Sequence, residues 1–374
     1  MSDPAFGTFF VPGPTEVRPE ILAQMARPMI SHRGRAFEAI FARIEAGLRD
    51  VLLTGRPVYV GATSATGFME MAVRNAPEGA ILSLVNGGFS ERFAEVAEAC
   101  DRRVERVTVP WGAAHDLNVV ESALAKSRFV AVTVAHCETS TGVLTNVRAV
   151  AELAHRHGAM ALVDSVSAAG GAELVVDEWG LDFLLTGSQK ALALPPGLAF
   201  AVASAEYVDR ARSVRDRGIY FDILQYDEAA AKNQTPSTPA ISLLYALEAQ
   251  MGDIGREGIE RRWERHETMR DLTLNWVHGI SERRGIDLQV LAPDGSRSPT
   301  LTVIKLPEKV RGPDVSEAVK VRGFTIGSGY GRLKDRTIRI GHMGDHTPDG
   351  VKRCLQACEG AIAELVEGRH LVRV

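Results

Sequence analysis

Cysteine is scarce in this chain. There are four in 374 residues, at Cys100, Cys137, Cys354 and Cys358, too few to staple a chain of this length, which argues against a disulfide-dependent scaffold. Cys354 and Cys358 share a face of what reads as the last helix, but no second Cys/His pair at ligand spacing accompanies them. They read as small apolar helix residues. His155 and His157, two apart on a predicted helix, point in different directions and make a poor metal pair. Positive charge is not in excess either: 43 Lys and Arg against 47 Asp and Glu give a net charge of −4, which argues against a nucleic-acid-binding surface but leaves room for a local basic pocket. Met1–Pro14 lacks the basic start and apolar core of a secretory signal. Phe183–Ala205, the longest apolar stretch, is broken as a membrane span by Gly187, Pro195, Pro196 and Gly197, and His370–Val374 carries no recognised address. The expectation is a cytoplasmic protein with no membrane and no nucleic-acid partner. A hydrophobic share of 45% and a charged share of 24% suit a soluble globular chain long enough for two packed units.

From Val58 onward, short apolar runs alternate with amphipathic stretches. Strands are predicted at Ala80–Val85, Val104–Val109, Phe129–Ala135, Ala159–Asp164, Asp182–Thr186 and Leu198–Ala203. Helices are predicted between them at Glu91–Cys100, Val119–Ala125 and Val147–His157. Apolar runs without alternation suit strands buried on both faces, and the βαβα order calls for a mostly parallel sheet covered by helices. After Pro239 the pattern changes to longer charged helices and fewer strands, which marks a smaller α+β domain beginning near Glu260. In open α/β sheets ligands bind at the carboxyl ends of strands, which directs attention to the residues after Val85, Ala135, Val163 and Thr186.

Lys190 stands there. It is the one charged residue between Asp182 and Glu206, within Gly187-Ser188-Gln189-Lys190. Burial in such surroundings lowers an amine's pKa and makes it a nucleophile toward an aldehyde; a lysine that snorkels to the surface beside a turn is the plainer alternative. Asp164 ends the Ala159–Asp164 run at the same edge, where a carboxylate needs a cationic partner unless it merely caps a turn. Gly61–Gly67 is rich in small and hydroxylated residues ahead of a helix read as Phe68–Arg74. Such a turn presents free N–H groups and hydroxyls to a dianion, although an ordinary capped helix looks alike. It is not a Walker A loop, and no G-x-G-x-x-G follows a strand anywhere in the chain.

Taken in order, Phe10–Thr15, Ser31–Gly34, Thr63–Gly67, His136–Gly142, Val163–Ser167, Gly187–Lys190, Thr235–Pro239 and Ile338–Gly344 resemble the motifs of class V aminotransferases of the type I fold, in particular the alanine–glyoxylate and serine–glyoxylate (serine–pyruvate) branch. The resemblance spans nearly the whole chain. It implies pyridoxal 5′-phosphate (PLP) as cofactor and a seven-stranded, mostly parallel sheet with helices on both faces. It also implies a division into an N-terminal segment 1–15 that contributes to the active site, a large domain 16–260 and a small C-terminal domain 261–374. Lys190 matches the Schiff-base lysine and catalytic proton shuttle, and Asp164 the partner of the pyridinium nitrogen. Phe89 falls where an aromatic stacks on the ring, Val166 against the other ring face, and Thr139 near the phenolic oxygen. Ser64, Ala65, Thr66 and Gln189 match the phosphate cradle. Thr238 or Ser237 matches a residue reaching the phosphate from the neighbouring subunit, which implies a homodimer with shared active sites. Arg339 matches the clamp for the substrate α-carboxylate, and Gly13 lies near the substrate through its backbone.

The activity implied is ping-pong transamination between alanine or serine and glyoxylate or pyruvate. His32-Arg33 leaves an alternative open, because a His-Arg pair also meets the substrate phosphate in phosphoserine:2-oxoglutarate aminotransferases. A PLP lyase such as a cysteine desulfurase fits less well, since it needs a cysteine on a late loop. The corresponding Gly327–Gly331 has none, and Gln189 stands where desulfurases usually carry histidine.

Overall fold

The computed structural model describes residues 6–368; the expectations placed on Met1–Ala5 and on His370–Val374 fall outside them. Seven strands form the larger sheet in the spatial order Val58–Gly61, Ala199–Ala203, Phe183–Gly187, Met160–Asp164, Ala131–Ala135, Ile81–Val85 and Val104–Thr108. The pairs from Phe183–Gly187 to the Val104–Thr108 edge are parallel. Ala199–Ala203 runs antiparallel to both of its neighbours. The connection before it explains the reversal: the Ser188–Leu198 turn holds no helix, and a parallel return needs a crossover of a dozen or more residues.

The central runs are buried along their whole length, as their unbroken apolar character predicts. Leu82, Val132, Val134, Ala161 and Val163 face helices Arg35–Leu52, Leu117–Lys126, Val147–Arg156 and Ile241–Glu257. Ile81, Ala131, Met160 and Leu162 face helices Ala65–Arg74, Gly88–Ala99, Ala205–Ala211 and Ile223–Ala230 on the other side. Only Val104–Thr108, which carries Glu105 and Arg106, is half-exposed, as an edge strand should be. The helix after the hydroxyl-rich turn begins at Ala65 rather than at Phe68. Small residues there read as loop in the sequence, yet they supply the first helical turn.

The second sheet has five strands in the order Phe9–Phe10, Thr325–Ser328, Thr337–Gly341, Leu301–Lys305 and Gln289–Val290. Helices Ile259–Arg284, Gly312–Val321 and Pro348–Val366 pack against it, with Cys354 and Cys358 buried in that core. No described helix is long and apolar enough to cross a membrane. Phe9–Phe10 adds in parallel to Thr325–Ser328, so the beginning of the chain is an edge of a sheet otherwise built from its end. From there Val11–Pro12 crosses directly over Gly341, where a Cβ would overlap the Val11 carbonyl, and Gly327, where it would lie 3.0 Å from Pro12 Cδ. Thr15 N–H then donates to the Gln189 carbonyl at 2.9 Å. The N-terminal segment thus ties the small sheet to the turn that carries Lys190.

Phe10 anchors this strand, fully buried and stacked on His346 with ring centroids 4.1 Å apart. Phe10→Ala is expected to cost about 3–5 kcal/mol in urea unfolding of the cofactor-free protein. A loss below about 0.5 kcal/mol, typical of surface positions, would show that the strand is not docked.

Candidate active site

Nine of the residues singled out in the sequence line one cavity: Ser64, Ala65, Thr66, Phe89, Thr139, Asp164, Val166, Gln189 and Lys190. They arrive from five strand ends, with Ser64, Ala65 and Thr66 following Val58–Gly61. Asp164 closes Met160–Asp164, Lys190 follows Phe183–Gly187, Phe89 follows Ile81–Val85, and Thr139 lies just beyond Ala131–Ala135. This is the carboxyl edge at which a parallel sheet opens to ligands.

Lys190 is buried, and its ammonium donates to the Pro12 carbonyl. A Cβ on Gly13 would lie 2.6 Å from the lysine's Cδ, Cε and Nζ, and Gly13 has a φ of +106°. Glycine is needed there both for the backbone angle and for the close approach. Burial lowers the amine to about 8 and raises the Asp164 carboxyl to about 7, because each charge is taken out of water. Asp164 accepts from Val166 N–H at 2.9 Å. Behind it, His136 is buried and lowered to about 4 by desolvation, with Nδ1 3.1 Å from the Ser165 hydroxyl.

At the opposite end of the cavity Ser64 is the N-cap of Ala65–Arg74, and its side chain makes no capping bond. Its hydroxyl and the Ala65 and Thr66 N–H groups are therefore left for a ligand, whereas Gly67 N–H donates to the Ser64 carbonyl at 2.9 Å. The Phe89 ring centroid is 5.8 Å from Lys190 Nζ. Its backbone is fixed by buried Glu138, which accepts from Phe89 N–H at 3.1 Å and Ser90 N–H at 2.8 Å. Gly87 permits this, since a Cβ there would overlap the Glu138 carboxyl. Arg339 lies on Thr337–Gly341 and donates to the Ser328 carbonyl at 2.9 Å and the Thr139 carbonyl at 3.4 Å. Among the described residues no carboxylate pairs with it.

Four sequence candidates stand elsewhere in the single chain. Arg33 donates to Gln234 Oε1 at 2.9 Å, the Thr235 carbonyl at 2.8 Å and the Pro236 carbonyl at 3.3 Å. Ser237 and Thr238 line a different cleft with Gly61, Ala62 and Tyr220, and His32, next to Arg33, does not line the Lys190 cavity. Conversely, Met69, Arg92, Cys137 and Ser167 line that cavity without having been singled out for it. Arg92 carried a usable signal, three residues after Phe89 and hence on the same helix face. Ser167 bonds the Thr139 hydroxyl across a gap of sequence that no local pattern reveals.

This donor set fits PLP. A capless helix N-terminus suits the phosphate dianion, a buried carboxylate short of partners suits the protonated ring nitrogen, and an aromatic wall suits the ring. A lysine of lowered basicity suits the aldehyde. The same burial carries a stability cost. Below about pH 8 the folded state must hold a desolvated ammonium whose pKa is 10.5 when free. Lys190→Met is therefore expected to stabilise the cofactor-free protein at pH 7 by up to about 3 kcal/mol. The gain should shrink as pH rises from 8 toward 10.5, where the folded wild type has already shed the proton that the unfolded chain keeps. Urea titrations of both proteins across that range test this, and a gain independent of pH would refute the buried-ammonium account.

Comparison with known proteins agrees with the geometry. The family model "Aminotransferase class-V" matches residues 20–332. The L-aspartate–glyoxylate aminotransferase of Paracoccus denitrificans is 31% identical over 368 residues, covering 95% of this chain and 91% of its own. The alanine–glyoxylate aminotransferase of Oryctolagus cuniculus is 31% identical over 372 residues, covering 96% and 93%. The crystal structure of alanine–glyoxylate aminotransferase from Nostoc sp. superposes with a TM-score of 0.87 at 28% identity, covering 95% of this chain and 94% of that one. With a family match over most of its length, and with the lysine, carboxylate and helix N-terminus of a PLP site gathered in one cavity, this chain belongs to the PLP-dependent class V aminotransferases.

Proposed function

We propose that the enzyme transfers the amino group of a small L-amino acid, alanine or serine, to glyoxylate or pyruvate in two half-reactions that use the same cavity in turn. The observation that carries this reading is the pairing of Lys190 with Arg339 across the Thr139 turn: a nucleophilic amine beside a guanidinium not engaged by any described carboxylate. A planar fork suits the α-carboxylate common to donor and acceptor. Bound PLP supplies the electron sink. With the cofactor bound, Lys190 would hold and return the proton at the substrate's Cα, a role that an amine lowered by burial can take in both directions. Asp164 would keep the ring nitrogen protonated, and the Ser64–Thr66 turn with Gln189 would hold the phosphate end. Both relatives are named for glyoxylate, whereas their donors differ, which supports the acceptor assignment.

The geometry of Arg33 favours this reading over phosphoserine with 2-oxoglutarate. Its guanidinium is spent on the side chain and carbonyls of Gln234–Pro236, so it is bound to its own chain rather than aimed at a substrate phosphate. The same anchor presents Ser237 and Thr238. In the homodimer we propose, these reach the partner's phosphate site and Arg33 acts as the brace of that segment. Exposed Met29 and Ile219 are apolar surface that such a dimer would cover. The change from the large to the small domain is assigned near Glu260, at Gly258 between the two long helices.

Lys190→Ala is expected to abolish both the visible absorbance of the bound cofactor and transamination; normal turnover would overturn the proposal. Arg33→Ala separates the two substrate readings. A brace predicts weaker cofactor retention and a similar drop in kcat/KM for alanine, serine and phosphoserine, whereas a phosphate ligand predicts a loss confined to phosphoserine.

A further inference from the structure

Tyr330 is unusual in touching both halves of the site. Its ring centroid lies 5.1 Å from that of Phe89, and Arg339 Cζ lies 5.6 Å from the same ring. Its hydroxyl accepts from Arg92 Nη2 at 3.2 Å. The ring rests on Gly88, where a Cβ would be 2.8 Å from Cε1, so glycine is required for this seat. The loop around it is pinned as well. Gly329 N–H donates to the Thr337 carbonyl at 2.8 Å, and Leu333 N–H donates to the Tyr330 carbonyl at 2.9 Å. Arg332 lies 4.2 Å over the Trp111 ring. Tyr330 is therefore a fixed wall and not a swinging side chain.

Arg92 is the second part of the observation. It lines the Lys190 cavity and sits 5.0 Å over the Phe89 ring, and among the described residues no carboxylate pairs with it. Left alone, Arg339 and Arg92 would offer two guanidinium groups to a substrate with two carboxylates. Tyr330 stands against both of them. Its ring occupies the space beside Arg339, and its hydroxyl holds Arg92.

We infer that Tyr330 determines donor specificity, its ring limiting the length of the donor side chain and its hydroxyl withholding Arg92 from a side-chain carboxylate. The inference rests on the proposed small-donor reading and names what enforces it. A donor with its carboxylate on Arg339 and its α-carbon at Lys190 would turn its side chain toward the Tyr330 ring, which lies against both Phe89 and Arg339. One added methylene in a confined pocket is worth about tenfold or more in discrimination, and a half-buried guanidinium such as that of Arg92 gains more from a carboxylate than from a phenol.

Two holoenzyme variants separate the parts of the inference. Tyr330→Phe keeps the wall and frees Arg92, so kcat/KM for aspartate relative to alanine should rise about tenfold while 2-aminobutyrate relative to alanine stays as in wild type. Tyr330→Ala removes both, so both ratios should rise. Spectral titration with 2-methylalanine, isovaline and 2-methylaspartate, which lack the α-hydrogen, reads the same preferences as dissociation constants without turnover. Retained visible absorbance of the cofactor shows that each variant is folded and loaded; if Tyr330→Ala is not, Tyr330→Leu takes its place. Ratios unchanged in both variants would overturn the inference. The wild-type donor panel tests the underlying reading separately, since a wild-type preference for long or acidic donors defeats that reading whatever the variants do.

Discussion

An amine buried without a carboxylate is the constraint around which the rest of this structure is arranged. Lys190 is buried with its ammonium donating to a backbone carbonyl, and the desolvation of that position is what lowers the amine and makes it reactive. Water is excluded by the strands on either side and by the N-terminal segment, whose Gly13 lies against the lysine's methylenes. The carboxylate at the other side of the cavity, Asp164, is raised by the same desolvation. Each charge is expensive alone, and PLP supplies a partner for both: an aldehyde for the amine and a ring cation for the acid.

Holding two such groups at a sheet edge requires rigid supports, and the chain builds them from distant segments. Arg262, almost fully buried, donates to the Gly170 carbonyl at 3.1 Å and to the Ala191 carbonyl at 2.7 Å, one beyond the Asp164 loop and the other next to Lys190. It also pairs with Asp345 at 2.9 Å, and Asp345 in turn accepts from Arg18 at 2.7 Å. One guanidinium thereby joins the two loops that flank the cavity to Asp345 and, through it, to Arg18. Buried ion pairs are seldom strong net stabilisers, because desolvation offsets the Coulomb gain. Their value here is geometric: the carbonyls flanking the site have fixed donors.

Much of this was legible in the residues. Unbroken apolar runs such as Ala131–Ala135 and Met160–Asp164 specify strands covered on both faces, and their order specifies a largely parallel sheet. Lys190 and Asp164 betray themselves as charges where apolar residues are expected, and the ordered motifs place them in a family. The reversed strand Ala199–Ala203 was not legible in its direction, because an apolar run reads the same in either orientation and only the shortness of the Ser188–Leu198 turn decides it. Nor was the use of Phe9–Phe10 as a strand, since two residues carry no periodicity. Arg33 shows the limit on the side of function. Its motif offers a phosphate ligand, while its bonds to Gln234–Pro236 depend on which loop the fold brings beside it.

What the sequence determined by itself, then, is the set of chemically unusual residues and the elements that carry them, because hydrophobic periodicity and isolated charge are local properties. What only the tertiary structure decided is which of those residues meet. Pro12 and Gly13 reach Lys190 because the strand just before them, Phe9–Phe10, pairs with Thr325–Ser328 from the far end of the chain. Arg92 and Arg339, 247 positions apart in the numbering, come to lie against one tyrosine. Such meetings depend on loop closure and packing across the whole molecule, and no window of sequence contains them.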